Sequence, residues 1–467
     1  KTRTKIYDFT KQQALTDDSV SNSVKFQYNV SAIRVLKLLE QEERQPTPDE
    51  IETLGLYSGW GGLGKDIESY QYVQLNAELR ELVSDDEYSE IKASALTAFY
   101  TPVPVVQGVW KSLEHMGFEG GRVYDPSMGL GNFFGLMPER LAANSKLAGG
   151  ELDTITAGIA KFLQSDVIVK NTGFEKSLLP ADYFDVMTSN IPFGNFKIHD
   201  PAYNKHNLNI HNYFIAKSLD TIKPGGVVAY ITTTYTMDSQ STKARELFYK
   251  SSDLVSAIRL PNDVFKKHAG TNVNADLLIF RKRHDHEPAG DESWIDAFHY
   301  NKSMYPKLHY NNYFRNNPQN VMGELEVVPS QFGPSLANYT DEAFETAFDR
   351  IVPTLPTNVF DSLNQNESQV ASGEMKAPPP TVALALDDQD EGSLVVVKDE
   401  IYMVEKRWDS EQEDHVPALI EFDYTQSKKA RLVALIELKQ AVREHLNVQI
   451  RNLPLASFEE SKAKLND

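Results

Sequence analysis

Hydrophobic and polar residues follow three different patterns along the chain. Residues 1–95 show the spacing of amphipathic helices, and residues 96–285 show short apolar strands that alternate with helical stretches. Residues 286–467 show a weaker, mixed pattern. It includes a linker-like stretch near 365–390, "VASGEMKAPPPTVALALDDQDEG", that is rich in proline, alanine and acids. We therefore predict a helical N-terminal region, a central α/β domain and a small mixed C-terminal region.

The two outer regions carry clear local signals. In "VSAIRVLKLLEQEE", Ala32, Leu36 and Leu39 recur on one helical face. In "TPDEIETLGLY", Thr47 is suited to an N-cap and proline follows it, so a second helix begins there. The glycine-dense "YSGWGGLGK" at 57–65 interrupts these helices. Near the other end, "GSLVVVKDEIYMVEKRWDS" predicts a hairpin and "KKARLVALIELKQAVREHLNVQI" an amphipathic helix.

The central region has the pattern of a sheet covered by helices. Its apolar strands are "GRVYDPS", "KLAGGELD", "YFDVMTSN", "GGVVAYITT", "LVSAIRLP" and "ADLLIFRKR". Helical stretches such as "TAGIAKFLQ", "NYFIAKSLDTI" and "TKARELFYK" lie between them. That alternation predicts a mostly parallel sheet with helices on both faces. In such sheets ligands bind at the carboxyl ends of the strands.

Composition narrows the functional class. The chain has 467 residues, a net charge of −19 and no cysteine, which excludes disulfides and thiolate metal sites and fits a reducing, cytoplasmic location. It contains no apolar run long enough to span a membrane and shows no signal peptide. The acidic charge argues against one broad nucleic-acid-binding face but leaves room for a local basic groove. Because the first residue is Lys1, we expect a trimmed chain or a fragment.

A glycine bend follows the first central strand. In "DPSMGLGNFFG" the strand ends at Asp125, and Gly129 and Gly131 permit a tight turn before the next helix. About 20 residues further on, "GGELD" puts Glu151 and Asp153 at a second strand end, where a carboxylate accepts hydrogen bonds from ribose hydroxyls. The glycine spacing departs from the dinucleotide fingerprint. The pattern therefore favours a nucleoside cofactor without a pyrophosphate, although an ordinary strand-to-helix turn would explain the glycines alone.

A second candidate site ends the strand "YFDVMTSN". Asn190 offers a carbonyl oxygen to an amino group, and the carbonyl of Ile191, directed by the rigid Pro192, offers a second acceptor. The ring of Phe193 can stack on a planar base. Two acceptors and a stacking face are what an sp² amino nitrogen needs to become nucleophilic. The alternative interpretation is an Asn-capped strand end with a proline turn.

The order of these motifs resembles a known family. "AFYTP", "DPSMGLGNFFG", "GGELD", "GFE" and "SNIPFG" follow the order found in gamma-class N6-adenine DNA methyltransferases. The set "YSGWGGL", "GLGNFFG", "IHNYFIAKSLD", "KPGG" and "RLPNDVFKKHAGT" is similar to the methylase part of large phage and mobile-element methylase–helicase proteins, antirestriction proteins among them. The resemblance covers residues 25–285, and "NNYFRNNPQNVMGE" extends it to about residue 324.

The resemblance implies a Rossmann-like S-adenosylmethionine-dependent methyltransferase fold with a mostly parallel seven-stranded sheet. The residues it implies for cofactor binding are Thr101, Pro102, Asp125, Pro126, Gly129, Gly131, Glu151, Asp153, Phe174 and Glu175. Among these, Glu151 would bind the ribose hydroxyls and Phe174 would lie against the adenine ring. Asn190, Ile191, Pro192 and Phe193 would hold the target base and its amino group. The family usually has two prolines after the Asn, and here the first is Ile191; the phosphate loop of a helicase is also missing.

The stretch "NFKIHDPAYNKHNLNIHN" at 195–212 follows directly. Its position suits a loop that covers a base flipped out of double-stranded DNA, with Phe196, Lys197 and His199 as substrate contacts. A solvated excursion between strand and helix is the alternative. Lys266 and Lys267 form a small basic patch that suits phosphate contacts or an exposed helix end.

The remaining aromatic and histidine residues have less specific patterns. Three tryptophans suit core or domain packing better than base stacking: Trp60, Trp110 and Trp294. The segment "GWGGL" could alternatively position the cofactor loop. Three histidines are spaced too irregularly for a metal site, so we expect no metal: His199, His206 and His211.

Three functions remain open from the sequence. The first is transfer of a methyl group from S-adenosylmethionine to the N6 amino group of adenine in DNA. The second is methylation of a protein glutamine or of RNA, because the same site suits any planar amide or amine nitrogen. The third is a catalytically silent subunit that binds a protein partner in a phage or defence complex.

Overall fold

The computed structural model describes residues 7, 9–10, 20–61, 63, 67–94, 101–265, 274–330, 333–360, 394–397, 400–409 and 414–421. The chain separates into two compact units, Lys1–Ser177 with Ala181–Ser372 and Leu178–Pro180 with Gly373–Asp467. The predicted linker near 365–390 lies outside the described residues. The three-region division of the chain stays a prediction.

A seven-stranded sheet forms the centre of the first unit. Its strands are β1 Arg122–Asp125, β2 Lys146–Glu151, β3 Val167–Asn171, β4 Phe184–Asn190, β5 Ile222–Thr233, β6 Ser252–Arg259 and β7 Ala275–Lys282. Their order is β3-β2-β1-β4-β5-β7-β6, and neighbouring strands are parallel except that β7 is antiparallel to β5 and β6. The predicted Rossmann-like methyltransferase fold with a mostly parallel seven-stranded sheet is confirmed.

The strand order reverses beside β1, where β4 pairs with it. Val123 is in register with Val186, and Tyr124 with Met187, and all four side chains are buried. Ligands bind in open α/β sheets at such a switch point, outside the carboxyl ends of the strands. This pairing therefore brings the residues that follow β1 next to the residues that end β4.

The apolar pattern predicts six of these strands and misses β3. Of the five residues in "VIVKN" only Val167 is buried, since β3 lies at the edge of the sheet. Lys170 and Asn171 interrupt the apolar run. An edge strand of this kind lacks the continuous hydrophobic signal of a central parallel strand.

Helices surround the sheet and precede it. They are α1 Asn22–Glu42, α2 Pro48–Gly55, α3 Val73–Leu82, α4 Asp85–Ser94, α5 Val103–His115, α6 Asn132–Gly135, α7 Glu139–Ala143, α8 Thr154–Leu163, α9 Ile210–Thr221, α10 Tyr235–Asp238 and α11 Lys243–Tyr249, with later helices at Asn312–Asn316 and Phe344–Ile351. The predicted start of α2 is confirmed, because Thr47 and Glu50 form a reciprocal capping box. The predicted apolar face of α1 is buried at Ala32, Leu36 and Leu39.

The N-terminal helices pack on the sheet domain through α8. At the crossing, Leu36 Cδ1 lies 3.2 Å from the position that a Cβ atom on Gly158 would take, so α1 and α8 are in close contact there. One apolar cluster joins Phe26 of α1 to Ile155 and Ile159 of α8. The helical region and the sheet therefore share a core.

Antiparallel hairpins complete the described chain. In the first unit they are β8 Ala297–Asn301 with β9 Tyr305–Asn311, and β10 Glu324–Ser330 with β11 Gly333–Tyr339. The second unit contains β12 Leu394–Val397, β13 Glu400–Asp409 and β14 Asp414–Glu421, which confirms the predicted hairpin. The predicted C-terminal amphipathic helix lies outside the described residues. Among the helices that are described, none has the length and apolarity needed to cross a bilayer.

Candidate active site

A cavity of about 790 Å³ lies at the carboxyl ends of β1, β2 and β4. Its volume falls within the roughly 300–1,000 Å³ that is typical of small-molecule sites. It is lined by many of the predicted site residues: Thr101, Asp125, Pro126, Gly129, Glu151, Asp153, Phe174, Glu175, Asn190, Pro192, Phe193 and Phe196. The bend after β1 and the amide that ends β4 therefore share one cavity.

The glycine bend is held against the end of β2. Gly129 has a φ of 56°, in the left-handed region that glycine adopts without a steric penalty. Its N–H donates to Glu151 Oε2 at 2.9 Å, and the N–H of Met128 donates to the Gly150 carbonyl at 3.0 Å. The bend and the second predicted strand end thus form a single wall.

Glu151 is positioned to receive hydroxyl groups. Its Oε1 accepts from the Asp153 N–H at 2.8 Å and its Oε2 from the Gly129 N–H. A carboxylate has about four acceptor sites, so each oxygen keeps room for one further donor from the cavity. Asp153 itself caps α8 by accepting from the Thr156 N–H at 2.7 Å. Glu151 therefore keeps acceptor capacity toward the cavity, and its role in binding a ribose stays a prediction, whereas Asp153 caps α8.

Burial raises the pKa values of the acidic residues that line this wall. It raises the pKa of Asp125 and that of Glu151 to about 7 each; the hydrogen bonds that Glu151 accepts from the backbone N–H groups of Asp153 and Gly129 partly oppose this rise. Burial also raises the pKa of Asp153. The cavity wall is therefore partly protonated near neutrality and gains negative charge as these acids ionise.

The charge of the lining has one sign. Five acidic residues line the cavity, Glu90, Asp125, Glu151, Asp153 and Glu175, and no Lys, Arg or His is among the described lining residues. In a poorly hydrated site, like charges repel strongly and a cation is attracted. The lining therefore disfavours a pyrophosphate and suits a nucleoside that carries positive charge.

The end of β4 supplies the opposite wall. Asn190 is its last residue, and Asn190, Pro192 and Phe193 line the cavity. The side chain of Ile191 is only 1% exposed and is not part of the lining, and its N–H donates to the Ile231 carbonyl at 3.2 Å. Ile191 thus extends the pairing of β4 with β5 and packs into the core. The role of its carbonyl as an acceptor stays a prediction.

Ser127 joins the two walls and was missed from the sequence. Its Oγ lies 2.9 Å from Ser189 Oγ and donates to the Asn190 carbonyl at 3.4 Å, and its N–H donates to Asp125 Oδ1 at 3.0 Å. A serine inside a glycine-rich turn belongs to no sequence motif that would mark it as a site residue. Its importance follows only from the pairing of β1 with β4.

Phe174 is held in place by contacts with neighbouring residues of α9. It is 2% exposed, lines the cavity and packs on Phe214 with ring centroids 4.8 Å apart. Lys217 Nζ donates to the Phe174 carbonyl at 2.7 Å and to Asp200 Oδ2 at 3.1 Å, and Tyr213 Oη donates to the same carboxylate at 2.7 Å. The stretch that follows the Asn190 motif is therefore tied to the wall that carries Phe174.

Within that stretch the predicted substrate contacts differ in position. Phe196 is 45% exposed and lines the cavity. Lys197 and His199 are exposed and do not line it; Lys197 Nζ donates to Asn207 Oδ1, and the His199 ring bonds Asn204. Lys266 and Lys267 lie outside the described residues.

Two predicted cofactor residues lie outside the lining. Pro102 is the N-cap of α5, and its carbonyl accepts from Val106 N–H at 3.2 Å. Gly131, with a φ of 88°, is the N-cap of α6 and packs against Gln164, whose Cγ lies 2.9 Å from the position of a Cβ on that glycine. Pro102 and Gly131 therefore define the starts of α5 and α6, which lie next to the cavity.

Residues of the N-terminal region also line the cavity; the sequence pointed to "GWGGL" among them only as an alternative to a packing role. They are Tyr57, Gly59, Trp60, Glu90 and Ala93. The three tryptophans assigned to packing are all buried: Trp60, Trp110 and Trp294. In the described part of the chain, no three His, Asp or Glu side chains are grouped to hold a metal ion.

Comparison with known proteins gives one curated relative. The chain is 26% identical over 242 residues to Defense against restriction protein B of Escherichia phage P1. The match covers 50% of this chain and 9% of the relative, so it spans under a tenth of that protein's length. No protein-family model matches the chain. The resemblance to phage antirestriction proteins, predicted from the motifs, is confirmed.

Solved structures give more distant likenesses. The type I restriction-modification methyltransferase subunit from Streptococcus thermophilus is 15% identical with a TM-score of 0.34, over 60% of this chain and 82% of that one. The M protein of the type I restriction enzyme EcoKI is 13% identical with a TM-score of 0.33, over 82% of this chain and all of that one. At these values no substrate follows from the likeness, and the fold is established by the strand order described above.

Proposed function

We propose that the protein transfers a methyl group from S-adenosylmethionine to the exocyclic N6 amino group of adenine in DNA. The observation that carries this proposal is the single cavity shared by the Gly129–Glu151 wall and the Asn190 wall. One wall fits a nucleoside without phosphates and the other fits an amino group on a planar base. The similarity to the phage P1 protein supports a setting in restriction and defence against it.

The donor side follows from the chemistry of the lining. Glu151 would accept from the ribose hydroxyls, Phe174 would cover the adenine, and Asp125 and Thr101 would face the methionine part. When bound, the cofactor supplies a methyl group on a positively charged sulfur that becomes a neutral thioether. Buried carboxylates with no basic neighbour in the described lining favour that cation over its neutral product.

The acceptor side works by hydrogen bonding and stacking. The Asn190 side-chain oxygen would accept from the amino group and pull the nitrogen toward a nucleophilic, pyramidal geometry. Phe193 would stack on the base, and Pro192 would fix the backbone between them. One N–C bond forms, one S–C bond breaks, and one amino proton passes to water. Holding the two reactants in near-attack geometry supplies much of the barrier reduction.

No general base is required near the amino group. His211 is the buried histidine beside this site, and burial lowers its pKa to about 4, so it is neutral at pH 7. It does not line the cavity. The rate is therefore expected to depend on the acidic residues of the wall formed by the glycine bend and Glu151, and not on a histidine.

The acidic lining also bears on how the substrate enters. The phosphates of the DNA backbone would be repelled by the five acidic residues. A base would therefore have to enter the cavity alone, flipped out of the duplex. The same lining and the net charge of −19 favour the second candidate, a protein glutamine amide, which carries no phosphate. RNA and a catalytically silent subunit are further outcomes that one experiment separates.

The test is tritium transfer from labelled S-adenosylmethionine to unmodified DNA, to RNA and to protein in parallel. We expect label in N6-methyladenine of DNA, and its loss in Asn190→Ala. The exposed Asn301→Ala, at the last residue of β8, is the matched control and should behave as the unaltered protein. Label in RNA or protein alone would refute the DNA substrate. Donor binding without any transfer would indicate a silent subunit.

A further inference from the structure

The wall segment, residues 57–60, reaches the cavity from outside the sheet domain. Tyr57, Gly59 and Trp60 line the cavity, although they precede β1 by more than 60 residues. Glu90 and Ala93 of α4 line it as well. The helical N-terminal region therefore contributes a face to a site whose other faces come from strand ends.

One buried side chain fixes the wall segment. Asn29, on α1, is fully buried among apolar neighbours. Its Nδ2 donates to the Gly59 carbonyl at 2.6 Å, and its Oδ1 accepts from the Ser58 N–H at 2.8 Å and from Ser58 Oγ at 3.2 Å. Buried polar groups are kept where their hydrogen bonds are satisfied. The amide of Asn29 is thus used to hold the segment in place.

The backbone of the wall segment is specified as well. Gly59 has a φ of 70°, in the left-handed region that a residue with a Cβ adopts only at a cost. Trp60 packs edge-on against Phe26 of α1, with ring centroids 5.1 Å apart. Backbone, hydrogen bonds and packing therefore agree on one conformation.

The wall segment lies on the Glu151–Asp153 side of the cavity. Burial raises the pKa of Tyr57 well above its ordinary value, and the nearby charges of Asp153 and Glu151 act in the same direction. On the same side, Glu90 Oε2 accepts from the Thr154 N–H at 3.0 Å, at the start of α8. The N-terminal region thus meets the part of the cavity that suits a ribose.

We propose that the wall segment belongs to the donor-binding site, that it contacts the nucleoside end of the sulfonium donor, and that Asn29 is its positioning residue. This inference rests on the proposed function, because it takes S-adenosylmethionine as the occupant. Its consequence is that donor affinity depends on the N-terminal helices as well as on the strand ends.

The first test measures binding of S-adenosylhomocysteine by calorimetry to the full chain. We expect Asn29→Ala to weaken binding by about tenfold or more, as loss of roughly 1.4 kcal/mol of positioning would produce. The Michaelis constant for the donor should rise while that for DNA stays near its original value. Because Asn29→Ala leaves polar groups buried, its folding is checked by far-UV circular dichroism.

A second pair of variants keeps the proposal testable if Asn29→Ala does not fold. Trp60→Phe alters a lining side chain, and Trp110→Phe alters a fully buried one that is not in the lining. Addition of S-adenosylhomocysteine should change tryptophan fluorescence in the unaltered protein and in Trp110→Phe, and the change should be lost in Trp60→Phe. An unchanged response and affinity in Trp60→Phe would overturn the inference.

The outcomes also separate this inference from the proposed function. Failure of the unaltered protein to bind S-adenosylhomocysteine would remove both. Normal binding by the unaltered protein, together with normal binding by Asn29→Ala and Trp60→Phe, would remove the wall segment from the site and leave the proposed function standing.

Discussion

Ser127 Oγ lies 2.9 Å from Ser189 Oγ and so links the bend after β1 to the last residues of β4. The same hydroxyl also reaches the Asn190 carbonyl. The two walls of the cavity are therefore connected by a short hydrogen-bonded bridge as well as by the pairing of β1 with β4. A change in the bridge should affect the distance between donor and acceptor more than it affects either wall.

The bridge can be tested by a double-mutant cycle. Ser127→Ala and Ser189→Ala should each lower the free energy of unfolding by about 1 kcal/mol, the usual contribution of an intramolecular hydrogen bond. The double variant should cost less than the sum, because both changes remove the same contact. Urea unfolding measures the cycle. Strict additivity would mean that the two hydroxyls do not interact in solution.

The raised pKa values of Asp125 and Glu151 predict that the free energy of unfolding depends on pH. The pKa values of Asp125 and Glu151 are about 7, well above those of exposed carboxyls, because burial disfavours their charged forms. Between about pH 4 and 7 these two acids bind more protons in the folded state than in the unfolded state, so their contribution to the free energy of unfolding falls as the pH rises through this window.

Thermal unfolding at several pH values between 5 and 8, without donor, measures this dependence. Asp125→Asn should flatten part of the slope, since its side chain cannot ionise. Donor affinity should move the other way and increase as these acids ionise, because the donor carries positive charge. An Asp125→Asn variant whose stability changes with pH as steeply as that of the unaltered protein would contradict the assignment of Asp125 as a buried acid with a raised pKa.

The strand ends were predictable because their positions follow from periodicity. The apolar run of β1 ends at Asp125, that of β2 at Glu151 and that of β4 at Asn190, and parallel strands bring their carboxyl ends to one edge. A sequence that marks the strands therefore also marks the residues that meet there.

The rest of the site depends on packing between distant segments. No spacing rule brings Tyr57 to Glu151, because their approach requires α1 to lie on α8 at Gly158. The exposure of Lys197 likewise depends on how its loop is tied to α9 through Asp200. These are tertiary contacts, and residue patterns within one element carry no information about them.

Ile191 stands where the family that the chain resembles usually has a proline, and the contacts of Ile191 differ from those a proline could make. Its N–H donates to the Ile231 carbonyl, and its side chain is in the core. Ile191→Pro, which restores the family's residue, removes this donor and should lower the free energy of unfolding by up to about 3 kcal/mol. Ile191→Val is the control and should cost only about 1 kcal/mol. Equal stability of both variants in urea would show that the N–H is dispensable.

Lys217 provides the last prediction, because it connects the stretch after Asn190 to the wall that carries Phe174. Its side chain and that of Asp200 are 12% and 8% exposed, so the pair is largely removed from water. Lys217→Met would leave the Asp200 charge buried with Tyr213 as its remaining side-chain partner, at a cost of about 3 kcal/mol.

Lys282→Met is the matched control, since Lys282 pairs with Asp182, which is 56% exposed, and such a pair contributes at most about 1 kcal/mol. Urea unfolding of the two variants should therefore differ clearly. Because Lys217 also donates to the Phe174 carbonyl, binding of S-adenosylhomocysteine should weaken in Lys217→Met and not in Lys282→Met. A stable Lys217→Met variant with weakened binding would separate positioning of the wall from stability. Unchanged stability and unchanged binding together would show that this pair does not position the wall.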